Sequence, residues 1–366
     1  MKVGLLVNDV IPGLGLPCSG QGIRAWGLLQ GLRANGVDAS VIIRHSTMST
    51  RINRWHDIMG VHLPEHLVIA NHAEMPNIIG ELDYLVFHNW AAGKNISRPE
   101  DSDVRFVYDF FSATLVEHSF ISADPAYLDG IRAQKQALVE QSDIFIANGP
   151  GRRDYGAEYL QNLGIEAPVH DIPTSLPWLG ETEVCDDILI GGYQQDWTKP
   201  LQPEMAAALS AALPDRNLVT VGADMHYHFG RRDKTGASAW PDSLLRYDIL
   251  SFEDYASLNA RAAAFVDIAP LNAERRISFS TRGVMSLASG CPIVHNAETD
   301  LGRLVAQYDA GVVLGESDHL DDPQTLAQAL KACLDARKRE NCRALWVDVF
   351  DCRVQATHLL KALQDA

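Results

Sequence analysis

The chain has 366 residues, 46% of them hydrophobic and 21% charged, which is typical of a globular protein large enough for two domains. Its net charge of −16 disfavours binding to nucleic acid or anionic lipid unless a local basic patch exists. No run approaches the roughly 18 apolar residues of a membrane span, and the first residues lack the features of a signal peptide. The six cysteines show no paired spacing, so we expect a reduced, cytoplasmic protein.

Short runs rich in Val, Ile and Phe alternate with amphipathic stretches along the first half of the chain. The near-continuous hydrophobicity of these runs predicts parallel strands that are covered on both faces. The predicted strands are 3–8, 39–43, 67–70, 83–89, 104–110 and 143–148, and the predicted helices are 22–35, 75–82 and 129–142.

A second series of the same kind begins after the Pro-containing stretch 166–183. Its predicted strands are 187–193, 217–224, 264–271, 291–296 and 311–315, and its predicted helices are 202–212, 253–263, 281–289, 299–308 and 322–339. Strand–helix alternation on both sides of a linker predicts an α/β protein with two Rossmann-like, doubly wound domains. We expect the domains at 1–175 and 176–342, with a C-terminal helix in 343–366 that could pack on either.

A glycine-rich loop follows the first predicted strand. A dinucleotide site would need three closely spaced glycines there and an acidic residue at the end of the second strand. Gly13 and Gly15 fit, but Cys18 stands at the third glycine position and the second strand ends in Arg44. The loop is also too long to place a helix start on a pyrophosphate in the usual way, so we set this interpretation aside.

The segment SGQGIRAWGLLQGLRANGVDASVI (19–42) resembles the loop and first helix of family 4 glycosyltransferases of the GT-B fold. ILIGGYQQDWTKPLQ (188–202) is similar to the strand, glycine and basic residue with which that family grips a donor diphosphate. The segments 251–271 and 276–296, the second ending in ASGCPIVHN, are similar to those around the donor-sugar loop. The resemblance implies two Rossmann-like domains that face each other across a cleft.

The resemblance also implies a site for a nucleotide-diphosphate sugar, with the donor bound mainly by the second domain. The donor-binding residues that it implies are Gly20, Gly22, Lys199, Ile249 and Leu250, and the predicted helix start at Ser280, Thr281 and Arg282 is a further candidate on physical grounds. Ser280 is a good helix N-cap, and the free amides and dipole of a helix start attract anions. Simple helix capping beside an exposed arginine explains Ser280–Arg282 equally well.

Two glutamates of the family's donor site are missing from this chain. Aligned on ASG, their positions fall on Ile277 and Met285, neither of which accepts a hydrogen bond. Polar residues nearby could replace them, namely Glu274, Ser278, Ser280, Thr281 and Arg282. Their absence leaves open a sugar-nucleotide epimerase of the same fold and a non-catalytic nucleotide- or sugar-binding protein.

Three side chains near the predicted strand ends of the first domain are candidates for acid–base catalysis: His88, Asp109 and His118. An inverting transferase needs a base beside the acceptor hydroxyl, whereas in a retaining one the leaving phosphate can take the proton. The resemblance implies no metal cofactor, because GT-B enzymes generally need no divalent metal bound by an Asp-x-Asp motif, and His226 and His228 have no evident third ligand for a zinc site.

The predicted function is therefore transfer of a sugar from a nucleotide sugar to a hydroxyl of a glycan, a lipid-linked acceptor or a small molecule. Nucleic acid is not an expected partner. The basic stretch 44–60, with Arg44, Arg51 and Arg54 beside Trp55, could bind an anionic acceptor or touch a membrane surface. A solvated loop is the simpler interpretation of that stretch.

Overall fold

The computed structural model of the chain describes residues 1–55, 63–180, 183–191, 203–222, 225–228, 231–234, 242–247, 249–318 and 322–365. The chain divides into two compact units. The first comprises Met1–Pro177, Ile277–Phe279 and Val349–Ala366, and the second comprises Trp178–Arg276 and Ser280–Asp348. Each unit is built on a parallel sheet with helices, which confirms the predicted α/β class.

The first unit contains a sheet of seven parallel strands. These are β1 (Lys2–Val7), β2 (Asp38–Arg44), β3 (Leu67–Ala70), β4 (Tyr84–Phe87), β5 (Arg105–Phe110), β6 (Ile144–Ala147) and β7 (Val169–Asp171). Their order in the sheet is β3-β2-β1-β4-β5-β6-β7. Strands β1, β4 and β6 are almost wholly buried, which explains why their sequences are continuously apolar rather than alternating.

Helices cover this sheet at the predicted places and at several others. They are α1 (Gly20–Ala34), α2 (His45–Trp55), α3 (Met75–Gly80), α4 (Trp90–Gly93), α5 (Thr114–Ser119), α6 (Pro125–Glu140) and α7 (Pro150–Asn162). The sequence analysis treated α2 as part of a basic loop and did not predict α7. Polar residues dominate both helices, so their sequences carry only a weak apolar pattern.

The second unit contains a sheet of six parallel strands and a separate hairpin. The strands are β8 (Asp187–Ile190), β9 (Asn217–Val221), β10 (Met225–His228), β11 (Arg231–Lys234), β12 (Leu244–Tyr247), β13 (Ala264–Asp267), β14 (Ile293–Asn296) and β15 (Gly311–Leu314). The main sheet has the order β12-β9-β8-β13-β14-β15, and β10 pairs with β11 antiparallel. A core of aliphatic residues from β8, β13, β14 and the helices packs on one face of the main sheet.

The helices of the second unit are α8 (Pro203–Ala212), α9 (Phe252–Arg261), α10 (Ala273–Ile277), α11 (Thr281–Ala288), α12 (Asp300–Tyr308), α13 (Pro323–Cys333) and α14 (Ala336–Leu345). The prediction of one helix over 322–339 is wrong. Asp335 accepts a hydrogen bond from the Arg337 amide at 3.0 Å and so caps a new helix, α14, two residues after α13 ends.

The C-terminal stretch consists of the end of α14, a π-helical turn (Trp346–Phe350) and α15 (Cys352–Asp365). Helix α15 packs closely on α1 in the first unit. A Cβ atom on Gly31 of α1 would lie 2.0 Å from the carbonyl oxygen of Cys352, so only glycine permits this approach. No helix in the described part of the chain is long and apolar enough to cross a membrane.

Candidate active site

Polar side chains gather at the carboxyl end of the first sheet. Asp9 follows β1, His88 follows β4, Asp109 lies at the end of β5 and Asn148 follows β6. All four are buried, although Asp and Asn are mostly exposed in proteins. Sequential strands run outward in opposite directions from the β1–β4 pair, and ligands of open parallel sheets bind at the carboxyl side of such a switch point.

Asp109 is the centre of a buried cluster. Arg24 on α1 binds its carboxylate with two nitrogens, Nε to Oδ2 at 2.5 Å and Nη2 to Oδ1 at 3.0 Å. His88 Nδ1 lies 2.8 Å from the same Oδ2. The structure therefore brings the candidates His88 and Asp109 together and adds an arginine that the sequence analysis did not select.

The charges of this cluster follow from its burial. Burial alone would raise the pKa of Asp109, but the charge of Arg24 and the hydrogen bond from His88 hold it below its usual range. Burial lowers the pKa of His88, and Asp109 opposes this effect while Arg24 adds to it. At neutral pH the carboxylate is ionised and the imidazole is neutral. Nδ1 then carries the proton that binds Asp109, and Nε2 offers a lone pair.

The backbone beside His88 is strained. Asn89 has φ 93° and ψ 175°, a conformation found almost only in glycine, and it costs of order 1–3 kcal/mol. Gly149, which follows β6, takes nearly the same conformation, and it does so without strain because glycine has no side chain. The Asn89 side chain accepts hydrogen bonds from the amides of Ala91 and Ala92 and so caps α4. This cap fixes the turn that carries His88.

His118, the third candidate, lies on α5 and has other partners. Its Nδ1 is 2.7 Å from the Tyr127 hydroxyl, and its ring meets Trp90 edge to face at 5.9 Å. Burial lowers its pKa. The direct contact that the structure shows between two of the three candidates is the one between His88 and Asp109.

The glycine-rich loop ends at the start of α1, next to the carboxylate of Asp9. The Ser19 amide donates to Asp9 Oδ2 at 2.7 Å, and Arg51 of α2 forms an ion pair with Asp9 Oδ1 at 2.9 Å. Gly20 is the first residue of α1. A Cβ atom on Gly22 would lie 1.8 Å from the Val10 carbonyl oxygen, so this glycine has a packing role independent of any ligand.

The helix start expected to hold a diphosphate is capped as predicted. Ser280 is the N-cap of α11, and its hydroxyl accepts a hydrogen bond from the Gly283 amide at 3.2 Å. The same hydroxyl donates to Asp267 Oδ2 at 2.6 Å. Arg282 Nη2 lies 3.3 Å from Asp267 Oδ1, and Thr281 begins the helix. The carboxylate of Asp267 thus lies beside the helix start at which a diphosphate is expected.

Asp267, at the end of β13, is the centre of a second buried cluster. His295 Nδ1 on β14 lies 3.2 Å from its Oδ2, and Arg275 Nη2 lies 3.4 Å from the same oxygen. Arg275 also donates to the Asp267 carbonyl at 2.7 Å and to Asn296 Oδ1. Burial would raise the pKa of Asp267, but the charges of Arg275 and then Arg282 hold it well below its usual range.

The other residues expected at the donor site give less information. Lys199 lies outside the described residues. Ile249 and Leu250 lie in the half-buried segment between β12 and α9. Met285, at one of the missing glutamate positions, is packed in the core at 2% exposure, so its side chain replaces no polar contact.

The basic stretch offers fewer free charges than its sequence indicates. Arg44 donates to the carbonyl oxygens of Ala92 and Lys94, and Arg51 pairs with Asp9. The side chains of Arg54, Trp55, His226 and His228 lie outside the described part of the structure. Within that part, no cluster of three or more His, Cys, Asp or Glu side chains could hold a metal ion.

Sequence reasoning missed four residues that organise these clusters: Arg24, Asp267, Arg275 and His295. One signal was available. Arg24 and Asp267 are single charges inside otherwise apolar runs, IRAWGLL and AFVDIAPL, and such charges are seldom buried without a partner.

Comparison with known proteins defines the class of fold. No model of a known protein family matches the chain, and no curated protein matches it in sequence. Among solved structures, HepE from Anabaena in complex with UDP and glucose is similar with a TM-score of 0.66 and 14% identity, covering 100% of both chains. The chain therefore has the fold of the GT-B glycosyltransferases.

Two further structures give the same result. Sucrose-phosphate synthase from Thermosynechococcus elongatus is similar with a TM-score of 0.64 and 14% identity, over 100% of this chain and 98% of that one. AviGT4, a glycosyltransferase involved in avilamycin A biosynthesis, is similar with a TM-score of 0.62 and 15% identity, over 100% and 97%. The predicted GT-B fold is confirmed.

Proposed function

We propose that this protein is a glycosyltransferase that moves a sugar from a nucleotide sugar to an acceptor hydroxyl. The observation that carries the proposal is the full-length match to GT-B glycosyltransferases, among them structures solved with UDP-glucose or with UDP. A resemblance confined to one unit would fit any nucleotide-binding domain, whereas this match includes both units.

We assign the acceptor to the first unit, at His88. Nε2 of this histidine is buried and has no hydrogen-bond partner among the described residues, so an acceptor hydroxyl would satisfy it. In an inverting reaction Nε2 takes the hydroxyl proton, and in a retaining one it accepts a hydrogen bond while the leaving phosphate takes the proton. Asp109 holds the ring in the required tautomer, and His118 is a second candidate nearby in sequence.

We assign the donor to the second unit. Ser280, Thr281 and Arg282 at the start of α11 would hold the diphosphate together with Lys199, and main-chain groups at Ile249 and Leu250 would meet the base. For this to happen Arg282 must turn from Asp267 toward the phosphates. Asp267 would keep Arg275 and His295 as partners, so its buried charge would stay compensated.

Cations of the protein, with no metal cofactor, would then stabilise the departing diphosphate. Gly20 and Gly22, at the start of α1, belong to the same proposal as donor-binding residues. The proposal also includes the acceptor classes and the cytoplasmic location expected from the sequence. It includes no nucleic acid as a partner.

The test begins with thermal unfolding of the full chain in the presence of nucleoside diphosphates and nucleotide sugars. A ligand at 100 times its Kd stabilises the folded state by about 2.7 kcal/mol. The best donor is then incubated with and without hydroxyl acceptors, including glycans, lipid-linked sugars and small molecules. A transferred sugar supports the proposal, and stabilisation by no nucleotide at all contradicts it.

The same assay separates the alternatives. An altered nucleotide sugar formed without acceptor would identify an epimerase, and binding without turnover would identify a binding protein. Arg282→Ala should weaken binding of the nucleotide. Arg276→Ala is the matched control, because Arg276 forms an exposed ion pair with Glu316 in the same unit and should leave binding unchanged.

A further inference from the structure

Arg24 is among the most deeply buried charged side chains of the first unit, with 1% of its surface exposed. All three nitrogens of its guanidinium donate hydrogen bonds. Beyond the two bonds to Asp109, Nη1 donates to the Ile172 carbonyl at 2.8 Å and lies 3.4 Å from Asn148 Oδ1. Only a planar, forked cation can make this set of contacts at once, so lysine would not reproduce it.

Arg24 and His88 share one oxygen atom. Asp109 Oδ2 accepts from Arg24 Nε at 2.5 Å and lies 2.8 Å from His88 Nδ1. A buried aspartate with a histidine as its only partner would favour the imidazolium ion, because the ion pair offsets the loss of hydration. Here the carboxylate is already neutralised by a permanent cation. A second positive charge on His88 would then lie beside the first in a fully buried site.

We propose that Arg24 is a positioning residue that keeps the His88 imidazole neutral, with the proton on Nδ1 and the lone pair on Nε2. Among the described residues, the charged groups around His88 are Arg24 from α1 and Asp109 from β5. Arg24 fixes Asp109 as an ionised acceptor, which holds the Nδ1 proton, and its charge disfavours a proton on Nε2. The ring thus stays available as an acceptor for a hydroxyl.

This inference rests on the proposed function only for the identity of the hydroxyl. The state of the ring can be measured without any substrate, so its failure and the failure of the proposed function are distinguishable. A structural role, in which Arg24 merely joins α1 to the loops at Asn148 and Ile172, would not predict any change in the titration of His88.

The experiment is histidine NMR on the isotope-labelled full chain, with the His88 signals assigned by their loss in His88→Gln. In the unaltered protein we expect an Nδ1-protonated neutral ring that does not titrate between about pH 6 and 8. Arg24→Gln keeps a hydrogen-bond donor but removes the charge, and it should raise the pKa of His88 by at least about one unit. Once a donor is known, the acidic limb of the kcat/KM profile should move upward with it.

Two further variants make the result decisive. Arg24→Lys keeps a positive charge without the fork, so the His88 ring should stay neutral. Arg98→Gln is the matched control, since Arg98 pairs with Asp143 rather than Asp109 and should leave His88 unchanged. An unaltered His88 titration in folded Arg24→Gln overturns the proposal. If Arg24→Gln does not fold, a His88 that becomes charged at pH 7 in Arg24→Lys overturns it.

Discussion

Each unit buries an aspartate at the carboxyl end of a central strand, Asp109 on β5 and Asp267 on β13. In both, one carboxylate oxygen lies within about hydrogen-bond reach of a histidine Nδ1, at 2.8 Å for His88 and 3.2 Å for His295. In both, the histidine Nε2 is buried without a partner in the described part of the chain. The two clusters differ in the other side chains that bind the aspartate.

Among the described residues, Asp109 binds one arginine, Arg24, whose side chain is 0% exposed. Asp267 binds Arg275 and also Arg282 and Ser280 at the start of α11, and the Arg282 side chain is 24% exposed. The first cluster is thus closed around an imidazole, whereas the second includes a cation that can turn toward solvent or a ligand. Similar groups serve to tune a histidine in one unit and to restrain a helix start in the other.

The largest expected effect comes from neutralising each aspartate. Asp109→Asn leaves Arg24 buried without a countercharge, which should cost about 3–5 kcal/mol of stability. Asp267→Asn should cost less, because Arg282 can reach water and Arg275 keeps its bonds to the Asp267 carbonyl and Asn296. Urea unfolding measures the loss, and hydrogen exchange of peptides from β5 and β13 shows where it occurs.

The control for both is Asp129→Asn, which breaks an exposed pair with Arg132 and should cost under about 1 kcal/mol. A larger loss in Asp267→Asn than in Asp109→Asn would show that the second cluster is as closed as the first. It would also argue against a mobile Arg282 in the donor site.

Glycines at the two helix starts provide a second contrast. A Cβ atom on Gly22 would lie 1.8 Å from the backbone oxygen of Val10, whereas one on Gly283 would lie 2.4 Å from the Leu301 side chain. The Leu301 side chain can rotate away, whereas the Val10 carbonyl is part of the backbone and can move less. Gly22→Ala should therefore lose about 1–3 kcal/mol, at the upper end of that range, and Gly283→Ala less. Thermal unfolding of both variants measures the difference, and equal losses would contradict the assignment.

The periodic pattern of the sequence was sufficient to predict most of both parallel sheets. Buried parallel strands produce continuous apolar runs, and β1, β4, β5 and β6 are all of this kind. Strand β7 was missed because it has only three residues, in a Pro-containing stretch predicted to be a linker. Its pairing with β6 depends on the neighbouring strand rather than on its own sequence.

The candidate site was predictable where polar residues end strands, as at His88 and Asp109. The partner of Asp109 was not, because Arg24 lies 85 residues away on a different element. Likewise, Ser280 could be recognised as an N-cap from local sequence. Tertiary packing places Asp267 beside this helix start, and the local sequence does not predict that contact.

Capping at the two helix starts gives a third, smaller contrast. The Ser280 hydroxyl accepts from the Gly283 amide, whereas the Ser19 side chain makes no capping hydrogen bond at the start of α1. Ser280→Ala should cost about 1 kcal/mol, as for other serine N-caps. Ser19→Ala should stay within about 0.5 kcal/mol of the unaltered chain. Chemical unfolding of the two variants checks this, and a comparable loss in Ser19→Ala would reveal a cap at α1.

The smallest expected effect is a dependence of stability on pH that both clusters share. Burial lowers the pKa values of His88 and His295, so the unfolded chain binds more protons than the folded one as pH falls below about 6.5. Stability should be fully present above that pH and decrease toward about pH 5, with His118 contributing in the same direction. The low pKa of Asp109 acts only below about pH 4.

Asparagine can replace the Nδ1 donor of each histidine without titrating, so His88→Asn and His295→Asn should each flatten this pH dependence. Urea unfolding at about half-unit steps from pH 5 to 7.5 measures the slope, which is proportional to the difference in bound protons. His72→Asn is the control, since His72 is exposed. Because Arg24 and Arg275 each oppose a proton on the neighbouring histidine, we expect the two variants to flatten the curve to a similar extent. If only one of the two variants flattens the curve, the histidine replaced in the other variant is charged in the folded protein. The two clusters would then share their geometry but not their protonation state.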